Sequence, residues 1–196
     1  MNLYLRLLWT ILRSLFKPPI KVGDTIEAQL RVLPNDIDIN GHMNNGRYLT
    51  VVDLLLIEYF VRCGFAGIML KRGWRPMLGG AIIHFRRGLK PFKQYTLRFR
   101  LVCWDERWNY LAFEFIREGQ ICASGLTKGA VIGAKGFVGN ASAYATLGVS
   151  GDSPAETAAV SSWRAADAQL MAGSPLAPVD VSAARRKSND AESVSK

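Results

Sequence analysis

The sequence predicts an α+β domain in which an antiparallel sheet wraps one long helix. Three observations carry this. Residues 46–65, GRYLTVVDLLLIEYFVRCGF, form an apolar run too long for a strand, opened after asparagine and closed near Gly64. One strand candidate precedes that run. Four strand candidates follow it from residue 74, the last three joined by turns short enough for antiparallel hairpins. The helix is apolar nearly all round, broken mainly by Arg47, Thr50, Asp53, Glu58 and Arg62, so most of its surface must be buried. A sheet supplies that cover.

The elements follow in order. Residues 1–17, MNLYLRLLWTILRSLFK, place Arg6, Thr10, Arg13 and Lys17 on one helical face, with Leu, Ile, Trp and Phe over the rest. Arg6 and Arg13 interrupt the apolar run, and Lys17-Pro18-Pro19 replaces a small-residue cleavage site, so a signal peptide is not expected. The segment is too short and too charged to span a bilayer. It is an amphipathic helix within residues 1–19 that either packs on its own domain or a second subunit, or lies on a membrane surface. The core domain is assigned to residues 20–135. Its first strand, TIEAQLRVL (25–33), puts Ile26, Ala28, Leu30 and Val32 on one face. The later strands are expected at 76–85, 94–104, 108–116 and 121–132, and Gly79-Gly80 marks a bulge or a close approach by another backbone. From residue 136 the composition shifts to Ala, Ser and Gly. A helix is expected at 154–172 with Pro154 in its first turn, and 173–196 has the composition of a disordered tail.

Lys and Arg number 25 against 16 Asp and Glu, a formal charge of +9. Such a balance suits nucleic acid, an anionic surface or a phosphorylated ligand. No paired Cys/His finger, RNP-like run or basic region leading into heptads is present, so nucleic acid is not expected as a partner. Cys63, Cys103 and Cys122 are odd in number and form no CxxC pair, which fits reduced packing residues in a reducing compartment. With only His42 and His84 beside them, no metal site is expected.

The chemistry concentrates in PNDIDINGHMNNGRYL, residues 34–49. The helix beginning near Gly46 directs unpaired amide groups and a positive dipole end at the preceding loop. Asp38 lies eight residues earlier on a chain that must double back, which would set its carboxylate opposite that terminus across a gap fit for a carbonyl. Acyl hydrolysis needs those two things: amides where charge develops on oxygen, and a base or nucleophile opposite. Asp and Asn also favour turns and caps for purely structural reasons, so the residues alone leave both roles open.

The run Asp36-x-Asp38-x-x-Gly41-His42-Met43-Asn44-Asn45-x-x-Tyr48, entering a long helix followed by four strands, resembles the hotdog-fold acyl-CoA thioesterases of the 4-hydroxybenzoyl-CoA thioesterase type. The resemblance covers roughly residues 20–135. It implies a hotdog fold, hydrolysis of an acyl-CoA without a cofactor, Asp38 as the catalytic carboxylate, and carbonyl polarisation by the backbone around Asn45 and Gly46. It also implies a homodimer or homotetramer with active sites between subunits. Some relatives carry histidine where Asn45 stands, and asparagine exchanges no proton near neutral pH; a non-catalytic hotdog protein that binds acyl groups or a partner is the alternative. Arg86, Arg87, Lys90 and Lys93 in FRRGLKPFK are either a landing site for CoA phosphates or a solvated turn. His42 is either a substrate contact or turn packing, Asp36 is expected to brace the loop, and His84 to pack within its strand. The expected setting is cytoplasmic, with residues 1–17 as the point of any contact with the inner face of a membrane.

Overall fold

The computed structural model describes residues 3–149 and 152–173. The chain divides into two compact units, 1–157 and 158–196. In the first unit the elements run α1 (Leu3–Leu15), β1 (Ile26–Arg31), a 3-10 turn (Pro34–Asp36), α2 (Asn45–Arg62), α3 (Phe65–Arg72), β2 (Arg75–Phe85), β3 (Gln94–Trp104), β4 (Asn109–Arg117), β5 (Gln120–Gly133), β6 (Gly136–Val138) and α4 (Asn140–Ala145). Of the second unit, one helix is described, α5 (Ala158–Ala172).

The sheet order is β1-β3-β4-β5-β2, with β6 paired to β5 and every pairing antiparallel. β1 and β2 thus lie at opposite ends of that path although one follows the other in sequence. The segment joining them must cross the sheet, and it carries α2. The sheet curls around that helix in the hotdog arrangement: Tyr48, Val51, Val52, Leu55 and Tyr59 of α2 share one core with Leu97, Phe99, Phe113 and Phe115. Edge-on ring contacts lock the two layers, with Tyr48 and Phe115 centroids 4.7 Å apart and Tyr59 and Phe99 5.8 Å apart.

Local chemistry sets the connections. Glu118 and Gly119 both take positive φ, 51° and 73°, the backbone a two-residue hairpin needs, and they join β4 to β5. The expected irregularity at Gly79 is a register shift between Leu78 and Gly80. The close approach there is made by a side chain, since a Cβ on Gly79 would sit 2.1 Å from the Trp108 ring.

Four details depart from the expectations. Gly64 ends α2 in the left-handed region, φ 82°, but the chain turns directly into α3. Residues 136–149, expected as tail, continue the structure: β6 extends the β5 hairpin and Ala143 of α4 packs with Phe65, Met69 and Val131. α5 starts at Ala158, so Pro154 precedes the helix and is no part of its first turn. His84 is exposed on β2 and does not pack inside its strand. The expected disorder of the tail falls almost wholly on residues 174–196, which lie outside the described residues.

α1 packs against α2 with its polar face inward. Arg6 and Ser14 are buried, and Ser14 donates to the Thr10 carbonyl at 2.6 Å. The Arg6 guanidinium bonds both carboxylate oxygens of the fully buried Asp36, at 2.9 and 3.1 Å. Just past the helix, Lys17 meets Glu58 of α2 at 2.6 Å, and Arg62 holds the same carboxylate at 3.0 Å. Carboxylates buried beside α2 are therefore matched by cations from the N-terminal segment. Removing one partner of such a pair leaves an uncompensated charge.

Four buried or half-buried phenols make the fold sensitive to alkali. Burial pushes Tyr59 up to about 12 and raises Tyr48, Tyr95 and Tyr144 as well. The folded state therefore holds these protons more tightly than the unfolded chain, so the stability they contribute is full below pH 10 and is lost as pH rises through the folded values. Tyr59 alone, about 12 against an unfolded value near 10, should cost about 1.5 kcal/mol between pH 10 and 11.5. Urea unfolding across that range should show a steady fall in stability; a flat profile would contradict the burial of these hydroxyls.

Candidate active site

The loop between β1 and α2 is built around Asp36. Its carboxylate accepts from Arg6, from Arg47 of α2 through Nε and Nη2 at 3.1 Å each, and from the Leu33 amide at 3.1 Å. Its carbonyl accepts the Asn44 amide at 2.7 Å. One buried residue thereby ties the 3-10 turn, α1, α2 and the cap of α2 together. Tyr95 lies beside this cluster, where burial raises its phenol and the Arg6 charge partly offsets the rise.

Between Asp36 and Asn44 the chain doubles back. Ile37 and Met43 form an isolated antiparallel bridge, the Asp38 amide donates to the His42 carbonyl at 2.9 Å, and Gly41 closes the turn with φ 73°. The backbone of Asp38 is therefore brought beside His42 and Met43, which lead into α2. Its Oδ1 accepts the Asn40 amide at 2.8 Å and lies 3.5 Å from the His42 amide. No described group bonds its Oδ2. The side chain is half-buried, and its charge helps raise the phenol of Tyr48.

The helix start distinguishes the two amides that the resemblance implicates. Asn44 caps α2, and its side-chain oxygen accepts the Gly46 amide at 2.9 Å. The Gly46 amide is thus already satisfied, while no described group bonds the exposed Asn45 amide one residue earlier. The open donor at the positive end of α2 is that of Asn45.

The basic turn adjoins this loop. The Met43 amide donates to the Leu89 carbonyl at 2.8 Å, and the His42 ring packs on Gly88, where a Cβ would lie 2.6 Å from it. The structure therefore brings His42 into turn packing, against the segment that carries Arg86, Arg87 and Lys90. Those three side chains are exposed, and none enters an ion pair among the described residues. No group of His, Cys, Asp and Glu among the described residues could hold a metal ion.

A cavity of about 330 Å³ lies between α2, the sheet and α4. Its walls are mostly apolar, with Leu56, Ile57, Phe60, Leu111 and Val131 among them, and Asn109, Asn140 and Tyr144 form a hydrogen-bonded group on one side. Asp38, Asn45 and Gly46 do not line it. Asp53 does, and although exposed, its desolvated surroundings push its carboxyl up. Asp53 follows Gly46 by about two turns, roughly 10 Å along the helix. It was legible only as a charge interrupting an apolar helix.

The two aspartates of the loop should separate by stability. Asp36→Ala leaves Arg6 buried without its partner and should cost about 3–5 kcal/mol. Asp38→Asn keeps an acceptor for the Asn40 amide and should change stability by less than about 1 kcal/mol. Urea titration of both variants measures this; equal losses would show that the loop does not hang on Asp36.

With the geometry in view, comparison with known proteins locates the chain. The thioesterase-like superfamily matches residues 32–163. Among curated relatives, Protein THEM6 of Danio rerio is 36% identical over 118 residues, covering 58% of this chain and 56% of its own. The probable thioesterase YBR096W of Saccharomyces cerevisiae is 30% identical over 99 residues, covering 48% and 43%. The chain spans about half the length of these relatives or less. Among solved structures, a 1,4-dihydroxy-2-naphthoyl-CoA thioesterase from Synechocystis superposes with a TM-score of 0.56 at 14% identity, over 63% of this chain and 95% of that one, which shows the shared fold. The matched region holds the Asp38 loop, the crossing helix and the whole sheet from β2 onward, and by that match the chain belongs to the thioesterase-like superfamily.

Proposed function

We propose that this protein hydrolyses an acyl-CoA thioester, in the manner of the 4-hydroxybenzoyl-CoA thioesterases its loop motif resembles. The observation that carries the reading is the state of Asp38. One carboxylate oxygen accepts from loop amides, the other is without a described partner, and the Ile37–Met43 bridge turns the chain back toward the residues that enter α2. The thioester carbonyl would lie at the Asn45 amide, whose hydrogen bond and helix dipole stabilise the oxyanion, with the Gly46 amide behind it if the Asn44 cap yields. Asp38 Oδ2 then serves one of two routes. As a base it takes a proton from water while the water oxygen bonds to the carbonyl carbon; as a nucleophile it bonds to that carbon itself, giving a mixed anhydride that water cleaves. In either case the C–S bond breaks and the electron pair leaves on sulfur. A thiol of pKa about 8.5 is a good enough leaving group to need little acid assistance.

Arg86, Arg87 and Lys90, on the turn that His42 and Met43 contact, are the groups proposed for the CoA phosphates. A homodimer fits the same picture. β2 pairs on one side only and exposes Leu78, Ile82 and Phe85, and Phe85 sits 5.0 Å from the Tyr48 ring behind Asp38. A second copy along β2 would enclose the loop, which one chain leaves open to solvent.

The capped Gly46 amide and the asparagine at 45 favour one other reading, a hotdog protein that binds acyl groups without cleaving them. Thiol release over a panel of acyl-CoAs separates the two. The wild type should turn over at least one of them, and Asp38→Asn should lower kcat by about 10²-fold or more with the fold and oligomeric state retained. Binding of acyl-CoA without thiol release would establish the second reading. Arg86→Ala with Arg87→Ala and Lys90→Ala should raise KM about tenfold, less so at high salt, with kcat little changed; an unaltered KM would mean that the turn is only solvated.

A further inference from the structure

α1 presents much of its apolar surface to solvent. Arg6 and Ser14 are buried against the domain and Arg13 is exposed, while Tyr4, Leu5, Leu8, Trp9, Leu12 and Leu15, with Phe16 just beyond the helix, are all exposed large hydrophobics. Trp9 is 62% exposed and Phe16 88%. Scattered apolar residues on a surface need no explanation, but a contiguous face of this kind does. The helix cannot turn this face inward, because Arg6 is clamped on Asp36 and Lys17 on Glu58.

From this we infer that the outward face of α1 docks on an anionic lipid surface and lies in its plane. Charge decides between lipid and a second copy of the chain. Residues 1–22 contain four basic residues and no acidic one; Arg6 and Lys17 are taken up by Asp36 and Glu58, which leaves Arg13 and Lys21, and the whole chain carries +9. Beside the face, a crevice of about 240 Å³ runs between α1, α2 and β1; Trp9, Arg13 and Arg31 line it, together with Glu58, whose charge Lys17 and Arg62 already match. Two such surfaces brought together would repel, whereas anionic headgroups would meet the arginines while Leu, Trp, Tyr and Phe enter the acyl boundary. Trp and Tyr are the side chains suited to that boundary. The helix has 13 residues, roughly 20 Å, which is short of the roughly 30 Å hydrocarbon core, and none of the described helices is long and apolar enough to cross a membrane. Docking needs no detachment of α1, so the Arg6–Asp36 contact persists and the Asp38 loop is carried close to the lipid surface.

The test uses the full chain and flotation with two vesicle types, phosphatidylcholine alone and phosphatidylcholine containing phosphatidylglycerol. The wild type should float with the anionic vesicles, and binding should fall about tenfold or more on neutral ones. The variant Leu8→Gln, Trp9→Gln, Leu12→Gln alters only outward-facing side chains, so its urea midpoint should match the wild type while flotation is lost. Three results would overturn the inference. The wild type could fail to float at all. The variant could float as well as the wild type, which would assign binding elsewhere, such as the basic Arg185-Arg186-Lys187 stretch. Or the wild type could ignore vesicles yet self-associate in a way the substitutions abolish, which would make the face an interface between copies. None of these outcomes depends on whether the protein cleaves thioesters.

Discussion

The buried carboxylate of Asp36 is the constraint on which the loop between β1 and α2 depends. A fully buried carboxylate is costly unless its oxygens are paired, and here two arginines and a backbone amide pair them. Each of those donors comes from a different place: Arg6 from α1, Arg47 from α2 and the Leu33 amide from the end of the strand segment. The cost of leaving any of them unpaired fixes three elements relative to one residue. Asp38, two residues on, inherits that fixed origin. Its own Oδ1 accepts from local amides, and no described group bonds its Oδ2. Asp36 and Asp38 look equivalent as letters, but the first is consumed by structure, and the proposed function gives the chemistry to the second.

The topology explains why the loop sits where it does. Because β1 and β2 occupy opposite ends of the sheet path, the connection between them has to traverse the concave face, and its helix has to enter from one rim. That rim is where the positive end of α2, the doubled-back loop and the basic turn after β2 meet, through the Met43–Leu89 hydrogen bond and the stacking of His42 on Gly88. The same crossing creates the apolar cavity about two turns further along α2. The amide and carboxylate at the rim, the cations beside them and the apolar chamber further along α2 are the features on which the proposed acyl-CoA substrate rests.

Much of this was legible in the sequence because it was local. Period-two alternation located the strands, the length and apolarity of residues 46–65 located α2, and the Asp-rich loop with its Gly-His-Met-Asn-Asn run marked the site. What could not be read was settled by tertiary contact. Nothing in the spacing of Arg6, Thr10, Arg13 and Lys17 says whether that face meets water or protein; buried carboxylates at Asp36 and Glu58 decide it. The capping of Gly46 by Asn44 turns on one side-chain rotamer, and it leaves Asn45 as the open donor of the two that the resemblance implicated. β6 and α4 are short, and their composition is ordinary for a loop; packing of Val138 and Ala143 with Phe65, Met69 and Val131 gives them form. Asp53 was visible as a charge, yet only the cavity gives that charge a place.

The claim that the carboxylate of Asp38 itself does the chemistry is tested most directly by chemical rescue. Asp38→Ala leaves a space where the carboxylate stood, with the Asn40 and His42 amides still directed at it. If the account is right, that variant releases almost no thiol from the best acyl-CoA substrate, and added formate restores turnover in a saturable manner while leaving the wild type unaffected. Full activity in Asp38→Ala without formate would contradict the account.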